Sequence, residues 1–131
     1  MLRIFLCLGL LATVPAWAPC RHVRMWCAAN DKLNPPVQDT RILADTLSEL
    51  QRSGRLPADR YVDKRTARAA GWTPGTPFNQ IDALKGKRMG GDRFANRERR
   101  LPAAEWTEAD LDYRGAKRNA KRLVFLLASA L

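Results

Sequence analysis

The sequence has one histidine, His22, in 131 residues, and three cysteines, Cys7, Cys20 and Cys27. A multi-histidine metal site is excluded, and histidine-driven catalysis has a single candidate, close to the N-terminus. Acids are also scarce: 13 Asp and Glu stand against 23 Lys and Arg, a formal charge of +10. A basic excess of that size favours polyanionic partners, nucleic acid or an acidic membrane surface, without choosing between them. No apolar run approaches the roughly 18 residues that a membrane-spanning helix needs. What remains is ordinary for a folding domain. Hydrophobic residues make up 46% and charged residues 27%, which separates the chain from disordered ones, and the length holds one core.

The N-terminus has the pattern of a secretory signal over residues 1–18. Arg3 supplies the positive start, Ile4 to Val14 the apolar run, and Ala16-Trp17-Ala18 a small-x-small cleavage site, with Pro19 just beyond. The alternative is a membrane-retained N-terminus. Cleavage would remove one base and no acid, leaving +9, and would take Cys7 with it. The protein is then expected outside the cytoplasm, secreted or periplasmic, with no stable membrane partner and as a monomer. Cys20 and Cys27 form a possible disulfide in such a compartment, closing a small loop. With His22 between them they also resemble a metal site, but three ligands in one short loop is a weak pattern, and neither metal nor cofactor is expected.

Residues 19–38 read as an irregular extension ending in Asn34-Pro35-Pro36, and residues 39–131 as the folded domain. A helix is predicted from about Asp39 to Ser53, with Ile42, Leu43, Leu47 and Leu50 on one side and Gly54 ending it. A shorter one is predicted over Lys64 to Ala70, capped by Asp63 and closed by Gly71. The Gly and Pro density of residues 72–91 predicts loops, apart from a turn around Asn79 to Leu84. Beyond them the period changes to two. Glu108, Asp110 and Asp112 alternate with Thr107, Ala109, Leu111 and Tyr113, which predicts a half-buried strand with three carboxylates in a row. Such a row needs cations opposite. A turn at Arg114-Gly115-Ala116 would bring back a second strand carrying Arg118 and Arg122 on one face and running on into Leu123-Val124-Phe125. The same basic residues also fit helical spacing as a solvated face. Helices followed by strands make an α+β domain.

Carboxylates among arginines suit phosphodiester chemistry. Guanidinium forks bind phosphate and stabilise charge on its oxygens, and a neighbouring carboxylate can take the proton of a ribose 2′-hydroxyl. The alternative is a salt-bridge lattice with no catalysis. A second group is the turn-rich run Gly90-Gly91-Asp92-Arg93-Phe94-Ala95-Asn96-Arg97-Glu98, with an aromatic for stacking and a Glu able to accept the paired N1–H and N2–H donors of guanine.

The stretch GGDRFANRERRLP, followed by WTEADLDYRGAKRNAKRL, resembles the bacterial guanyl-preferring ribonucleases, the barnase-like family, in order and over about residues 39–125. Upstream, LPADRYVDK and Ala-Ala-Gly71-Trp72 match the family's second-helix region with one extra residue before Tyr61. The resemblance implies N-terminal helices packed on a C-terminal antiparallel sheet. It further implies an endoribonuclease that cuts single-stranded RNA by transesterification to a 2′,3′-cyclic phosphate and then by hydrolysis. By position, Glu108 matches the general base, Arg118 and Arg122 the phosphate-holding arginines, and Lys64 the lysine that supports transition-state charge. Phe94, Asn96, Arg97 and Glu98 match the guanine-recognition loop, while Asp92 and Asp110 match supporting acids. The implied partners are RNA and an acidic intracellular inhibitor protein of the barstar type.

One departure carries weight. The family continues past its arginine strand to an Asp-His-Tyr segment whose His protonates the leaving 5′-oxygen. This sequence runs Leu123 to Leu131 without one, and His22 lies before the first helix. The expectation is a C-terminally truncated domain with an incomplete sheet and impaired or absent cleavage. The alternative function is a non-catalytic RNA-binding remnant of the same fold.

Overall fold

The structure, a computed structural model, describes residues 3–6, 10–13 and 36–126. Two strands come from the N-terminal segment, β1 (Arg3–Leu6) and β2 (Leu10–Thr13). Helix α1 (Thr40–Ser53), strand β3 (Tyr61–Val62) and helix α2 (Lys64–Ala69) follow. Two short 3-10 turns, Phe78–Gln80 and Asp82–Leu84, lead into β4 (Arg88–Arg93), β5 (Thr107–Asp110) and β6 (Arg122–Leu126). The strands form one sheet in the order β2-β1-β6-β5-β4-β3. The arrangement is α+β, as expected. The sheet is mixed, however, because β3 runs parallel to β4.

Helix α1 forms where its apolar spacing and caps place it. Asp39 accepts a hydrogen bond from the Ile42 amide, and Gly54, at φ 70°, closes the last turn with its own N–H on the Leu50 carbonyl. Leu43, Leu47 and Leu50 are buried with Ala109, Leu123 and Phe125 of the sheet, with Leu111 just past β5, and with Tyr61 and Val37. Burying side chains of this kind stabilises by about 1.5–3 kcal/mol each. A second cluster joins α2, the 3-10 turns and the segment after β5, around Trp72, Phe78 and Tyr113. Phe78 meets Trp72 and Tyr113 edge to face, at ring centroids of 6.3 Å and 5.5 Å, and its amide donates to the Tyr113 hydroxyl. Gly115, at φ 86°, lies so close to the Asn79 side chain that a Cβ would overlap the Asn79 amide oxygen. That approach lets the Gly115 carbonyl accept from the backbone N–H of Asn79.

Three expectations need correction. The run from Gly90 is not all loop, because Gly90 and Gly91 lie inside β4, with a bulge between Gly90 and Asp92 where β4 pairs with β5. The carboxylate strand stops at Asp110, two residues before Asp112. Asp112 turns to φ 55°, and its carboxylate accepts from the Gln38 and Asp39 amides at the start of α1 and from Lys121 Nζ at 2.8 Å. The two amides just before α1, near the positive end of its dipole, and an ammonium draw it out of a row where it would face two other acids. The return turn is also longer than predicted. Asn119 bridges it by donating to the Leu111 carbonyl and accepting from the Lys121 amide, so Arg118 sits on the turn and only Arg122 on β6. Cys20, Cys27 and His22 lie outside the described residues.

Asp112 yields a prediction about acid stability. Burial is the largest single influence on it and pushes its pKa up, but the Lys121 hydrogen bond and the two amides together outweigh burial and hold it below its ordinary 3.8. A carboxylate depressed on folding contributes stability that is present above its unfolded pKa and is lost as pH falls through its lower folded value. Asp112→Asn keeps an acceptor for the amides and tolerates the positive φ. Urea midpoints measured from pH 5 down to pH 2 are expected to fall less steeply for Asp112→Asn than for the parent chain. An equal slope for both would show that the Lys121 pair adds nothing on folding.

Candidate active site

Strand pleating sorts β5 into two faces. Ala109 faces the α1 core, while Glu108 and Asp110 lie on the other side, beside their register partners Val124 and Arg122 on β6. Asp110 is almost wholly buried, its side chain 3% exposed, and it is held by two arginines. Arg118 forks onto it, Nε to Oδ2 and Nη2 to Oδ1, both at 2.7 Å, and Arg122 Nε reaches Oδ1 at 3.1 Å. Arg122 is fixed further by donating Nη1 to the carbonyls of Asn119 and Lys121 at 2.6 Å and 2.8 Å. Arg118 Nη1 and Arg122 Nη2 take no part in these bonds. One buried anion thus aligns two guanidiniums, leaving part of each to meet a phosphate.

Glu108 sits one pleat along from this cluster, half-buried. Burial raises its pKa above the ordinary 4.5, and Asp110 adds to the rise, against the opposing pull of Arg122, Lys64 and Arg118. Three cations therefore act on a carboxylate that still holds its proton more firmly than a free glutamate. That combination suits a group that must take up a proton and let it go again.

Lys64 opens α2, where its backbone amide donates to both Asp92 oxygens, at 3.3 Å and 3.1 Å. Asp92 is the register partner of Glu108 across the bulge in β4, so it ties the start of α2 to the strand beside the cluster. The sequence pattern put Glu108, Asp110, Asp112, Arg118 and Arg122 in one cleft, and the resemblance added Lys64 and Asp92; the structure brings all of them except Asp112 near Glu108.

The loop after β4 is built on the far end of the same face. The Phe94 amide donates to the Trp106 carbonyl at 2.8 Å, and Phe94 and Leu101 pack on buried Trp106 and Val124. Asn96, at φ 46°, closes the loop by donating Nδ2 to the Leu101 carbonyl and accepting from the Leu101 amide. Arg97 and Glu98 are exposed. Glu98 pairs with Arg100 at 2.7 Å, both side chains more than 70% exposed, so a competing donor could displace Arg100 at little cost. A cavity of about 490 Å³ opens elsewhere, between the α1–β3 connection and the sheet, lined by Leu56, Tyr61, Gly90, Thr107 and Phe125 among others. None of the six residues gathered around Glu108 lines it, so volume alone is a poor guide to the chemistry here.

Two features were beyond sequence pattern. The carbonyls of Asn119 and Lys121 that steer Arg122 depend on the shape of the turn, and main-chain acceptors leave no mark on residue type. The Arg100 partner of Glu98 was visible only as one of several loop arginines.

A family model for ribonucleases matches residues 44–130. A curated ribonuclease of Heyndrickxia coagulans is 47% identical over 79 residues, covering 58% of this chain and 71% of the relative. Ribonucleases of Bacillus intermedius and Bacillus pumilus are likewise 47% identical over 79 residues, covering 58% of this chain and 48% of each relative. The chain thus spans about half the length of these two. With that match laid over the carboxylate and arginine face, the chain belongs to the ribonuclease family, among its bacterial barnase-like members.

Proposed function

We propose that the protein is an exported, guanyl-preferring endoribonuclease acting on single-stranded RNA, with Glu108 as the base. The observation that carries the reading is Glu108 itself, a half-buried carboxylate of raised pKa beside two arginines aligned by Asp110. In the first step Glu108 takes the 2′-hydroxyl proton and the 2′-oxygen bonds to phosphorus. The 5′-oxygen then departs with its electron pair and takes a proton from solvent, leaving a 2′,3′-cyclic phosphate. Arg118 and Arg122 hold the non-bridging oxygens, and Lys64 adds positive charge on the side of α2. In a second step water bonds to phosphorus and gives up a proton to solvent, the bond from phosphorus to the 2′-oxygen breaks, and Glu108 returns its proton to that oxygen, leaving a 3′-phosphate. The charge of +10 supports the same partner class by drawing RNA toward the face. Detecting the cyclic phosphate by mass spectrometry on a short defined RNA tests the reaction. Linear 5′-phosphate products in its place would overturn it.

Specificity is assigned to the loop. Phe94 and Asn96 shape it, N–H groups of the loop outside its internal bonds would meet the base, and Glu98 accepts the two guanine donors in place of Arg100. Glu98→Ala is expected to weaken binding of GpN dinucleotides by about 1–3 kcal/mol while hardly changing ApN. Equal losses on both, measured at one salt concentration, would leave Glu98 as a loop carboxylate without a reading role.

Export is part of the proposal, on the signal pattern of residues 1–18. In a bacterial host the released chain is expected to begin near Pro19, with Cys20 and Cys27 oxidised to one another. Intact mass decides this, and a product retaining residues 1–18 would mean a tethered protein.

A further inference from the structure

The ladder between β5 and β6 is interrupted at the rung nearest the turn. Asp110 lies opposite Arg122, so the next pair toward the turn is Leu111 with Lys121. A regular antiparallel rung of this kind is closed by two hydrogen bonds, one in each direction. Here one is made directly, from the Leu111 amide to the Lys121 carbonyl at 3.1 Å. In place of the other stands the side chain of Asn119. Its Nδ2 donates to the Leu111 carbonyl at 2.9 Å, and its Oδ1 accepts from the Lys121 amide at 2.7 Å. A primary amide offers a donor and an acceptor from one planar group, so it can complete a rung whose two backbone groups do not meet.

Arg122 begins where that rung ends. A guanidinium carries five N–H donors in one plane. Nε of Arg122 meets Asp110 Oδ1 at 3.1 Å, and Nη1 donates to the carbonyls of Asn119 and Lys121 at 2.6 Å and 2.8 Å. The two donors on Nη2 are left for a phosphate. Both carbonyls belong to residues that the Asn119 amide restrains, one by its own side chain and the other through the Lys121 N–H. Arg118 needs no such support, because it is forked on Asp110 by two bonds of 2.7 Å. We propose that Asn119 is a positioning residue acting through Arg122: its side-chain amide holds the turn in the shape that sets both carbonyls on Nη1, and so keeps the guanidinium plane ready for phosphate. The inference rests on the reading of Arg122 as a phosphate ligand and adds the residue that aims it. Without the amide the Asn119 carbonyl is free to turn away. Arg122 then keeps one contact with Asp110 and loses part of what fixes its plane, and a small misplacement of a phosphate ligand is costly.

The test is a double-mutant cycle in the full chain, using a nitrophenyl ester of guanosine 3′-phosphate below the unfolding temperature of every variant. Asn119→Ala is expected to slow the parent chain by about 10–100-fold. In an Arg122→Ala background it is expected to slow the reaction by less than about twofold, since the group it serves is gone. Asn119→Ser keeps a hydroxyl that can accept from the Lys121 amide and should recover part of the loss. A readout that needs no turnover is the phosphorus resonance of bound guanosine 3′-phosphate, which reports the donors on the phosphate. Asn119→Ala should move it toward its position in Arg122→Ala and should move it no further in the double variant. Equal losses in the two backgrounds, an unchanged parent rate, or a resonance that stays in place would overturn the positioning role while leaving Arg122 as a phosphate ligand. Should Asn119→Ala fail to fold by its far-UV spectrum, Asn119→Ser carries the same cycle with smaller losses, and equal losses there overturn the role as well. If Arg122→Ala itself alters neither rate nor resonance, the phosphate reading of Arg122 fails, and the role of Asn119 fails with it.

Discussion

Glu108→Gln is expected to remove the transesterification of an activated ester, a nitrophenyl ester of guanosine 3′-phosphate, by about 10²–10⁴-fold. The substrate matters. A nitrophenolate leaves as a stable anion, whereas the 5′-alkoxide of RNA needs a proton as it departs. The described residues include no histidine, and His22 lies outside them. Glu108, Arg118 and Arg122 can therefore carry the activated ester with groups already in place. The parent chain is expected to cleave that ester readily and GpN dinucleotides slower by several orders of magnitude. The rate on the ester should rise with pH through the Glu108 pKa, which burial keeps above the ordinary 4.5, so activity is lost on the acid side and that limb is absent in Glu108→Gln. A folded parent chain that binds RNA yet leaves the ester untouched would make the protein a binding module. An unchanged rate in Glu108→Gln would remove Glu108 as the base.

Asp110 carries the second large effect. Its carboxylate is nearly inaccessible and holds two guanidiniums, which repel one another without it. Asp110→Asn leaves that pair of positive charges unpaired next to the core, at a cost of about 3–5 kcal/mol. For a domain of this size the loss is roughly 10–30 °C in Tm, read by calorimetry. A merely structural role would end there. Asp110 also pushes the Glu108 pKa up, and its removal frees Arg118 to approach Glu108. The acid limb of the ester reaction in Asp110→Asn should therefore move to lower pH, measured below the variant's unfolding temperature. A limb that stays in place would confine Asp110 to stability.

The elements with local causes were legible in the sequence. Helix α1 was read to within a residue because its cap, its leucine spacing and its closing glycine all lie within its own span. The acid and arginine face was legible for a related reason, since alternation on β5 puts Glu108 and Asp110 together whatever lies beyond. The reading failed where a distant group decided the conformation. Asp112 continued the alternation perfectly, and it is the Gln38 and Asp39 amides just before α1, 74 and 73 positions away, together with Lys121, that explain why it leaves the strand. Arg118 was assigned to a strand because period two does not reveal where a turn ends, yet its guanidinium still reaches Asp110 from the turn. The glycines of β4 were read as breakers, although a bulged strand can accommodate them.

The contact between Asp112 and the start of α1 has a bearing on the order in which the molecule assembles during synthesis. The helix is among the first parts of the domain to leave the ribosome, but the carboxylate that seats on its opening amides follows 73 positions later. At about 5–20 residues per second, that is a delay of roughly 4–15 s. Until then the start of α1 has only the local Asp39 cap, and β6, whose Leu123 and Phe125 help cover the α1 leucines, has not been made. Lys121 and Arg122 arrive later still, so the two guanidiniums cannot be aligned on Asp110 until the chain has emerged as far as β6. The nascent chain therefore carries an unlatched helix and no assembled phosphate cradle while it is still next to ribosomal RNA.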